Sequence, residues 1–134
     1  MADADVEALR RGFEAYERGD METALRNIAP DFVVNDHIIM EDSTDVRGPE
    51  AMAKNLERVG EAFPRMRYEI LEAIDLDDRV VLRVVAHLKG ATTGLEWDQE
   101  VGQLWVIEDG LAKSLDIYPS WEQARRAAGV DDGT

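Results

Sequence analysis

The first apolar positions of the chain recur every three or four residues, which predicts one face of an amphipathic helix. These positions are Val6, Leu9, Phe13 and Tyr16. Gly19 can end this helix, and the carboxylate of Asp20 can cap a short second helix whose apolar face reaches Ile28. Because proline does not fit a helix interior, Pro30 predicts a turn into a short β-rich segment, residues 31–36.

A third helix is predicted after a weakly patterned segment. Residues 37–47 have no sustained period, and their acidic run is typical of an exposed loop. Pro49 is favoured in the first turn of a helix, and apolar residues then recur at helical spacing as far as Phe63. Pro64 ends the pattern.

The second half of the chain is rich in β-branched residues and predicts four strands, within residues 66–76, 79–89, 95–108 and 111–118. Asp109-Gly110 is a strong hairpin signal between the last two strands. Ser120 and Gln123 have capping-box spacing and predict a terminal helix that ends near Gly129. Helices followed by a meandering sheet predict an α+β domain in which the sheet curls around the helices.

Composition sets limits on the class of protein. The 134 residues, of which 45% are hydrophobic, fit one domain over residues 1–134 with a loose acidic tail from about residue 130. The formal charge of -14 would repel nucleic acid. There is no cysteine, and the two histidines lack metal-ligand spacing, so we do not expect a metal site. With no long apolar run and no signal-like leader, we expect a cytoplasmic protein that does not enter a membrane.

The order of predicted elements resembles the superfamily of nuclear transport factor 2, ketosteroid isomerase and the SnoaL-like polyketide cyclases. The segments that carry the resemblance are AYERGDMETALRNIAPDFVVND, RGPEAMAKNLERVGEAFP and LWVIEDGLAKSLDIY. It extends from about Val6 to Ala128 and implies a cone-shaped, curved antiparallel or mixed sheet wrapped around the N-terminal helices, with an apolar pocket inside. It also implies a homodimer through the outer sheet face.

The resemblance points to one catalytic candidate. Asp36 falls where the ketosteroid isomerases carry the aspartate that moves a proton between carbon atoms. Apolar walls would raise the pKa of this carboxyl group and prepare it as a general base, whereas the alternative is an exposed aspartate that caps a turn. His37 is a secondary candidate, although only one of two neighbours on a regular strand can face the pocket. For His87, a hydrogen-bonded position in the sheet is the favoured interpretation.

Two further acids depend on strand register. Alternation places Glu100, Gly102 and Leu104 on one face of a strand and Trp105 with Val101 on the other. An acidic, pocket-facing position of the isomerases aligns with Gly102, which directs Glu100 inward as a second carboxyl group. The same alignment directs Trp105 and Val101 outward, where they would suit the dimer interface.

The last strand contains a second-choice catalytic residue, since many SnoaL-like cyclases carry a catalytic aspartate there. Asp116 lies near that position. Regular alternation places it on the convex side, opposite Leu115 and Ile117, and a one-residue bulge would turn it inward. The predicted ligand pocket is lined by Phe13, Tyr16, Leu56, Phe63, Leu104, Leu115 and Ile117.

These features predict a small enzyme without a cofactor, in which a pocket carboxylate transfers a proton. The reaction would be an isomerisation, a cyclisation or an epoxide opening on a hydrophobic carbonyl-containing or polyketide-like molecule. The alternative is a noncatalytic domain of the same fold that binds a small ligand or a protein. The fold alone does not decide between the two, because one fold can carry both functions.

Overall fold

The computed structural model describes residues 2–36, 46–62, 67–76, 78–90 and 92–130. Within these residues the chain forms four helices and six strands, and the predicted α+β class is confirmed. The helices are α1 Ala2–Glu17, α2 Met21–Ala24, α3 Gly48–Ala62 and α4 Trp121–Ala127. The strands are β1 Ile28–Asp36, β2 Val46–Arg47, β3 Arg67–Asp75, β4 Arg79–Lys89, β5 Glu96–Glu108 and β6 Leu111–Tyr118.

The strands form one curved, open sheet in the order β2-β1-β6-β5-β4-β3. Strands β3 to β6 are an antiparallel meander, as the sequence predicts. The first long strand, β1, pairs in parallel with the last strand, β6, and antiparallel with the short β2. The sheet is therefore mixed, and β1 and β6, which are far apart in sequence, are neighbours in it.

The start of β1 differs from the prediction. The short helix α2 ends at Ala24, and β1 already begins at Ile28, two residues before Pro30. The pairing of β1 with β6 shifts register between Ile28 and Val33, so Pro30 lies in the irregular part of the ladder. Since proline has no backbone N–H to donate, it fits a strand where regular pairing is interrupted.

The predicted helix caps are confirmed. The side chain of Asp20 accepts a hydrogen bond from the backbone N–H of Thr23 at 3.2 Å, and this bond lowers the pKa of Asp20. The hydroxyl of Ser120 accepts from the backbone N–H of Gln123, also at 3.2 Å. Each bond satisfies an N–H that a helix start leaves without an intrahelical acceptor.

The sheet carries an apolar cluster on each side. On the side that we call the pocket face, Leu82, Val84 and Trp105 are buried together with Phe32 of β1 and Leu9 of α1. Residues of α1 and α3 pack on this cluster. The opposite side, which we call the outer face, has a smaller cluster that α4 covers. Its buried members are Val81, Leu104, Ala124 and Ala128.

Gly102 lies on the outer face directly beneath α4. A Cβ atom at this position would lie 2.5 Å from Cβ of Ala124 and 2.6 Å from the carbonyl oxygen of Ser120. No side chain fits in this space without moving the helix. The predicted pocket-facing orientation of Gly102 is therefore wrong.

Candidate functional site

A cavity of about 160 Å³ lies between the helices and the pocket face of the sheet. Most of its lining is apolar, with a few polar side chains between the apolar ones. The lining includes Leu9, Gly12, Phe13 and Tyr16 of α1, Met52, Asn55 and Leu56 of α3, Tyr68 of β3, Gln103, Trp105 and Ile107 of β5, and Ala112, Leu115 and Ile117 of β6. A mostly apolar cavity with few polar groups is typical of a small-molecule site.

Aromatic side chains form a continuous part of this wall. The ring of Tyr68 lies 5.7 Å from that of Phe13 and 6.1 Å from that of Tyr16, measured between ring centroids. Phe13 also lies 6.4 Å from Trp105, which stacks at 6.1 Å on the buried Phe32. These distances are within the range of favourable aromatic pairs, so the wall is an ordered surface against which a flat ring can pack.

Burial raises the pKa of the two tyrosines of the wall. It raises the pKa of Tyr68 far above the ordinary value of a phenol, and the nearby Tyr16 adds to the rise. Burial also raises the pKa of Tyr16. Both hydroxyl groups therefore keep their protons at physiological pH, which makes them available as hydrogen-bond donors.

The polar lining is almost entirely uncharged. Gln103 is buried, and its Oε1 accepts a hydrogen bond from Nε1 of Trp105 at 2.9 Å. Asn27 and Asn55 also border the cavity. Among the described residues, Asp5 of α1 is the only carboxylate in the lining, and no lysine or arginine belongs to it.

The structure places five residues of the predicted ligand pocket at this cavity, namely Phe13, Tyr16, Leu56, Leu115 and Ile117. Phe63 lies outside the described residues. The prediction for Leu104 is wrong, because its side chain packs on the outer face with Val81. Since β4 and β5 pair without a register shift, the orientation of one residue fixes the orientation of its neighbours along β5.

Glu100 shares the orientation of Leu104 and does not face the cavity. Its Oε1 accepts a hydrogen bond from Nε of Arg83 at 3.0 Å, and Arg83 also binds Glu72 at 2.8 Å. The prediction that Glu100 is an inward catalytic carboxyl group is therefore wrong, because strand alternation turns it to the outer face.

Asp116 also lies on the outer face. It is paired with Leu104 on β5, and its neighbours Leu115 and Ile117 are the residues that line the cavity. The register shift between β5 and β6 falls at Val106 and Ile107, not beside Asp116. The bulge that would turn Asp116 inward is therefore not present at this position. Asp116 has the outer orientation that regular alternation predicts, and the inward catalytic orientation is wrong.

Asp36 is the last residue of β1, and its backbone pairs with Ile117 of the cavity wall. The side chain of Asp36 and the whole of His37 lie outside the part of the chain that the structure describes. Their predicted catalytic roles stay predictions.

Trp105 and Val101 belong to the buried cluster of the pocket face, with 5% and 8% of their surface exposed. The prediction that they form an outer dimer interface is therefore wrong, because β5 has the opposite orientation. The outer face instead carries two rows of charges across β3, β4 and β5. One row is Glu72, Arg83 and Glu100, and the other is Glu69, His87 and Asp98.

The second row confirms that His87 is a hydrogen-bonded residue of the sheet. Its Nε2 lies 3.1 Å from Oε1 of Glu69, and its Nδ1 lies 2.7 Å from Oδ1 of Asp98. Glu69 and then Asp98 raise the pKa of His87, because both carboxylates stabilise the charged imidazolium.

Several residues of the lining are not among those predicted from the sequence, and Asp5, Tyr68 and Gln103 carry polar groups that bear on its chemistry. Gln103 could have been found by placing the bulky apolar Trp105 inside, since residues two apart share a face of a strand. Asp5 is four residues before Leu9, on the same side of α1, so helical spacing contained that signal. Tyr68 depends on the orientation of β3, which local sequence does not fix.

Among the described residues, no three His, Asp or Glu side chains are arranged so that they could hold a metal ion. No helix in the same ranges has the length and apolar content needed to cross a membrane.

Comparison with known proteins identifies the class of fold. Residues 9–115 match the sequence profile of the SnoaL-like domain. No protein with a curated description is significantly similar in sequence.

Solved structures share the fold at low identity. A nuclear transport factor 2-like protein of unknown function from Burkholderia pseudomallei is 19% identical, with a TM-score of 0.77 over 91% of this chain and 95% of that one. A protein assigned as a SnoaL-like polyketide cyclase from Jannaschia is 18% identical, with a TM-score of 0.74 over 85% and 83%. AclR from Streptomyces galilaeus, assigned as a hydroxylase, is 18% identical, with a TM-score of 0.74 over 96% and 87%.

Proposed function

Because this chain belongs to the SnoaL-like domain family of the nuclear transport factor 2-like superfamily, we propose that its cavity binds a small, hydrophobic, ring-containing molecule. The observation that carries the proposal is the aromatic wall of a cavity that has few polar groups. An engineered apolar cavity of about 150 Å³ is large enough for benzene. The cavity volume of about 160 Å³ is enough to enclose one ring of a ligand, and the rest of a larger ligand would extend through the open side.

The binding proposal is tested by titrating the protein with acetophenone, a single-ring ketone, and measuring the dissociation constant by calorimetry. Ala8 lines the cavity from α1, so Ala8→Phe should reduce binding at least tenfold by filling the space. Ala127→Phe places the same side chain at an exposed position of α4 and is the matched control, which should bind normally. Equal binding by both variants would contradict a site in this cavity.

We propose further that the domain is an enzyme in which Asp36 takes a proton from the bound molecule and returns it. The backbone pairing of Asp36 with Ile117 supports this proposal, because Ile117 belongs to the cavity wall. The neutral hydroxyls of Tyr16 and Tyr68 are suited to donate hydrogen bonds to an oxygen on which charge develops. Isomerisation and cyclisation fit this chemistry. In epoxide opening Asp36 would instead take the proton from a water molecule that attacks the ring carbon, and the opened ring oxygen would receive a proton. We expect the reaction in the cytoplasm.

The catalytic proposal is tested by screening enones, lactones and epoxides for turnover and then changing one aspartate at a time. Asp36→Asn should abolish turnover and leave ligand affinity intact. Asp31→Asn is the control, because Asp31 is an exposed residue of the same strand that binds Lys113 at 2.9 Å. Full turnover in Asp36→Asn would overturn the assignment. Binding without turnover of any screened class would favour a noncatalytic ligand-binding domain.

We also propose that two copies pair through the part of the outer face that α4 leaves uncovered. This part carries the two charged rows of β3, β4 and β5. Rows in which acids flank a base can pair with the same rows of a second copy when they are offset by one strand. Analytical ultracentrifugation at micromolar concentration should show a dimer that weakens as salt rises, and a monomer at all salt concentrations would contradict the proposal.

A further inference from the structure

Gln103 is the only buried polar or charged side chain among the described residues, with 6% of its surface exposed. It projects from the middle of β5 into a face that is otherwise apolar, beside Val101 and Trp105. A buried amide loses its hydrogen bonds to water, and this loss must be offset by partners inside the protein or in a ligand. The position of Gln103 therefore needs a specific explanation.

Chemistry fixes which end of the Gln103 amide faces Trp105. The indole Nε1–H of Trp105 can only donate a hydrogen bond, so its partner 2.9 Å away must be the amide oxygen. The two ends of a glutamine amide look alike to most methods, but this donor settles the choice. The amide nitrogen consequently points away from the indole and keeps both of its N–H groups for another partner.

Within the described part of the chain, this nitrogen donates no observed hydrogen bond, whereas the Gln103 oxygen accepts one from Trp105. The nitrogen is also not sealed in the core, since it is absent from the fully buried polar atoms that lack a partner. Gln103 borders the cavity. The donor is therefore reached from the cavity, where it can bind an acceptor atom of a ligand.

The charges around the cavity restrict that ligand atom. No cationic side chain belongs to the described lining, and the one carboxylate there, Asp5, disfavours an anionic group. The net charge of the whole chain is -14, which disfavours anions as well. A neutral donor in such surroundings is best matched by an uncharged acceptor, and a carbonyl oxygen combines this property with an apolar skeleton.

We propose that Gln103 is a specificity-determining residue that donates a hydrogen bond from Nε2 to a carbonyl oxygen of the bound molecule. Trp105 is its positioning residue, because the indole N–H holds the amide in the orientation that directs the donor to the cavity. A donor in this position favours a neutral, ring-containing ketone, ester or amide as the ligand over a hydrocarbon or a carboxylate. This inference rests on the proposed function of the cavity as a ligand site.

The proposal is tested by comparing the binding of two probes that differ only in the carbonyl group. Acetophenone and ethylbenzene have the same ring and nearly the same shape, but only acetophenone carries an acceptor oxygen. Calorimetry gives the ratio of their dissociation constants for the native protein and for Gln103→Leu, which has a similar volume and no donor. Comparing ratios removes the different hydration of the two probes. The preference for acetophenone should fall about tenfold in Gln103→Leu, the effect of losing one buried hydrogen bond.

A measurement on the native protein makes the result independent of how well the variant folds. The side-chain amide signal of Gln103 in a ¹H–¹⁵N spectrum should shift on addition of acetophenone and change much less on addition of ethylbenzene. In Trp105→Phe the ring remains but the N–H is gone, so the amide should lose its fixed orientation. The preference for acetophenone should then fall in part, whereas a purely structural role for Trp105 would weaken both probes equally.

The outcomes separate the two proposals. If both probes bind and their ratio is the same in native protein and Gln103→Leu, the inference about Gln103 is overturned while the cavity remains a ligand site. If neither probe binds the native protein, the proposed function of the cavity fails and the inference fails with it. If both probes bind the native protein and only the binding of acetophenone weakens in Gln103→Leu, the proposed ligand site and the inference about Gln103 are both supported.

Discussion

The two faces of β4 and β5 are built from alternating residues of the same strands, yet they have opposite character. On the pocket face Leu82 is fully buried, and Trp105 forms part of an aromatic wall. On the outer face Arg83, the neighbour of Leu82, lies between Glu72 and Glu100 with about a third of its side chain exposed. One face lines a mostly apolar cavity, while the other carries charged side chains that are in contact with water.

This difference indicates that the shape of the cavity depends mainly on the packing of the pocket face. The outer face contributes little to that shape. An apolar wall keeps its form only if its side chains pack tightly against the layer behind them. The charged rows are partly exposed, where ion pairs contribute modestly because water screens them. We therefore expect changes on the two faces to have unequal effects, and the following predictions are ordered from the largest to the smallest.

The largest effect is expected for Leu82→Ala. Leu82 is fully buried in the cluster of the pocket face, so removing its side chain leaves a cavity beside the ligand site. The free energy of unfolding should fall by about 2–5 kcal/mol, measured by urea denaturation. The matched control is Arg83→Met, which keeps the aliphatic stem and removes the charge of the neighbouring residue. A loss in Arg83→Met as large as that in Leu82→Ala would contradict the comparison of the faces.

A smaller loss is expected for Gly102→Ala, where the outer face is covered by α4. The added Cβ would lie 2.5 Å from Cβ of Ala124, so the helix or the strand must move. The free energy of unfolding should fall by about 1–3 kcal/mol. In Gly12→Ala the new Cβ would lie 3.6 Å from the carbonyl oxygen of Ala24, an ordinary contact, and alanine favours the helix. Gly12→Ala is therefore the control and should not lower the free energy of unfolding. If Gly102→Ala also left it unchanged, α4 would not pack on the sheet as described.

Ser120→Ala tests whether the N-cap hydrogen bond of Ser120 stabilises α4, the helix that covers part of the outer face. The Ser120 hydroxyl accepts from the N–H of Gln123 at 3.2 Å, and alanine cannot replace that acceptor. The free energy of unfolding should fall by about 1 kcal/mol. Ser120→Asp restores an acceptor at the cap, so it should retain most of the stability, and equal losses in both variants would exclude capping as the cause.

The smallest effect is a pH dependence on the outer face. Glu69 and Asp98 raise the pKa of His87 above its ordinary value of 6.5, although Arg67 opposes the rise. The native state then binds the proton more tightly than the unfolded state does, so the stabilisation is complete below pH 6.5 and is lost as pH rises through the folded pKa. Unfolding midpoints at about pH 5.5 and about pH 8.5 should differ less in His87→Gln than in the native protein. An identical pH profile in both proteins would show that the row does not hold a charged His87.

Local patterns were sufficient to predict most of the elements. The apolar run of residues 79–89 coincides with β4, Asp109-Gly110 forms the predicted hairpin, and Ser120 caps the last helix. Each of these features depends on neighbours in sequence, such as a turn residue or a capping side chain. Pro30 was the exception, because a strand that continues through a proline depends on the irregular pairing supplied by β6.

The orientation of β5 could not be decided in the same way. Alternation divides its residues into two sets, but either set is compatible with the sequence of the strand alone. The deciding contact is between Gly102 and Ala124, two residues that meet only after α4 has folded over the sheet. One alignment at Gly102 consequently misplaced Leu104, Glu100 and Trp105 together. Gln103 was missed for the same reason, since it shares the face of Trp105.

The parallel pairing of β1 with β6 also governs how the chain reaches this structure. Asp31 and Lys113, which bind each other across the two strands, are 82 positions apart in sequence. Closing so long a loop costs chain entropy, and folds that depend on distant pairings fold slowly. During synthesis β1 has no central partner until β6 has left the ribosome. We therefore expect this wall of the cavity to close only after synthesis of the last strand.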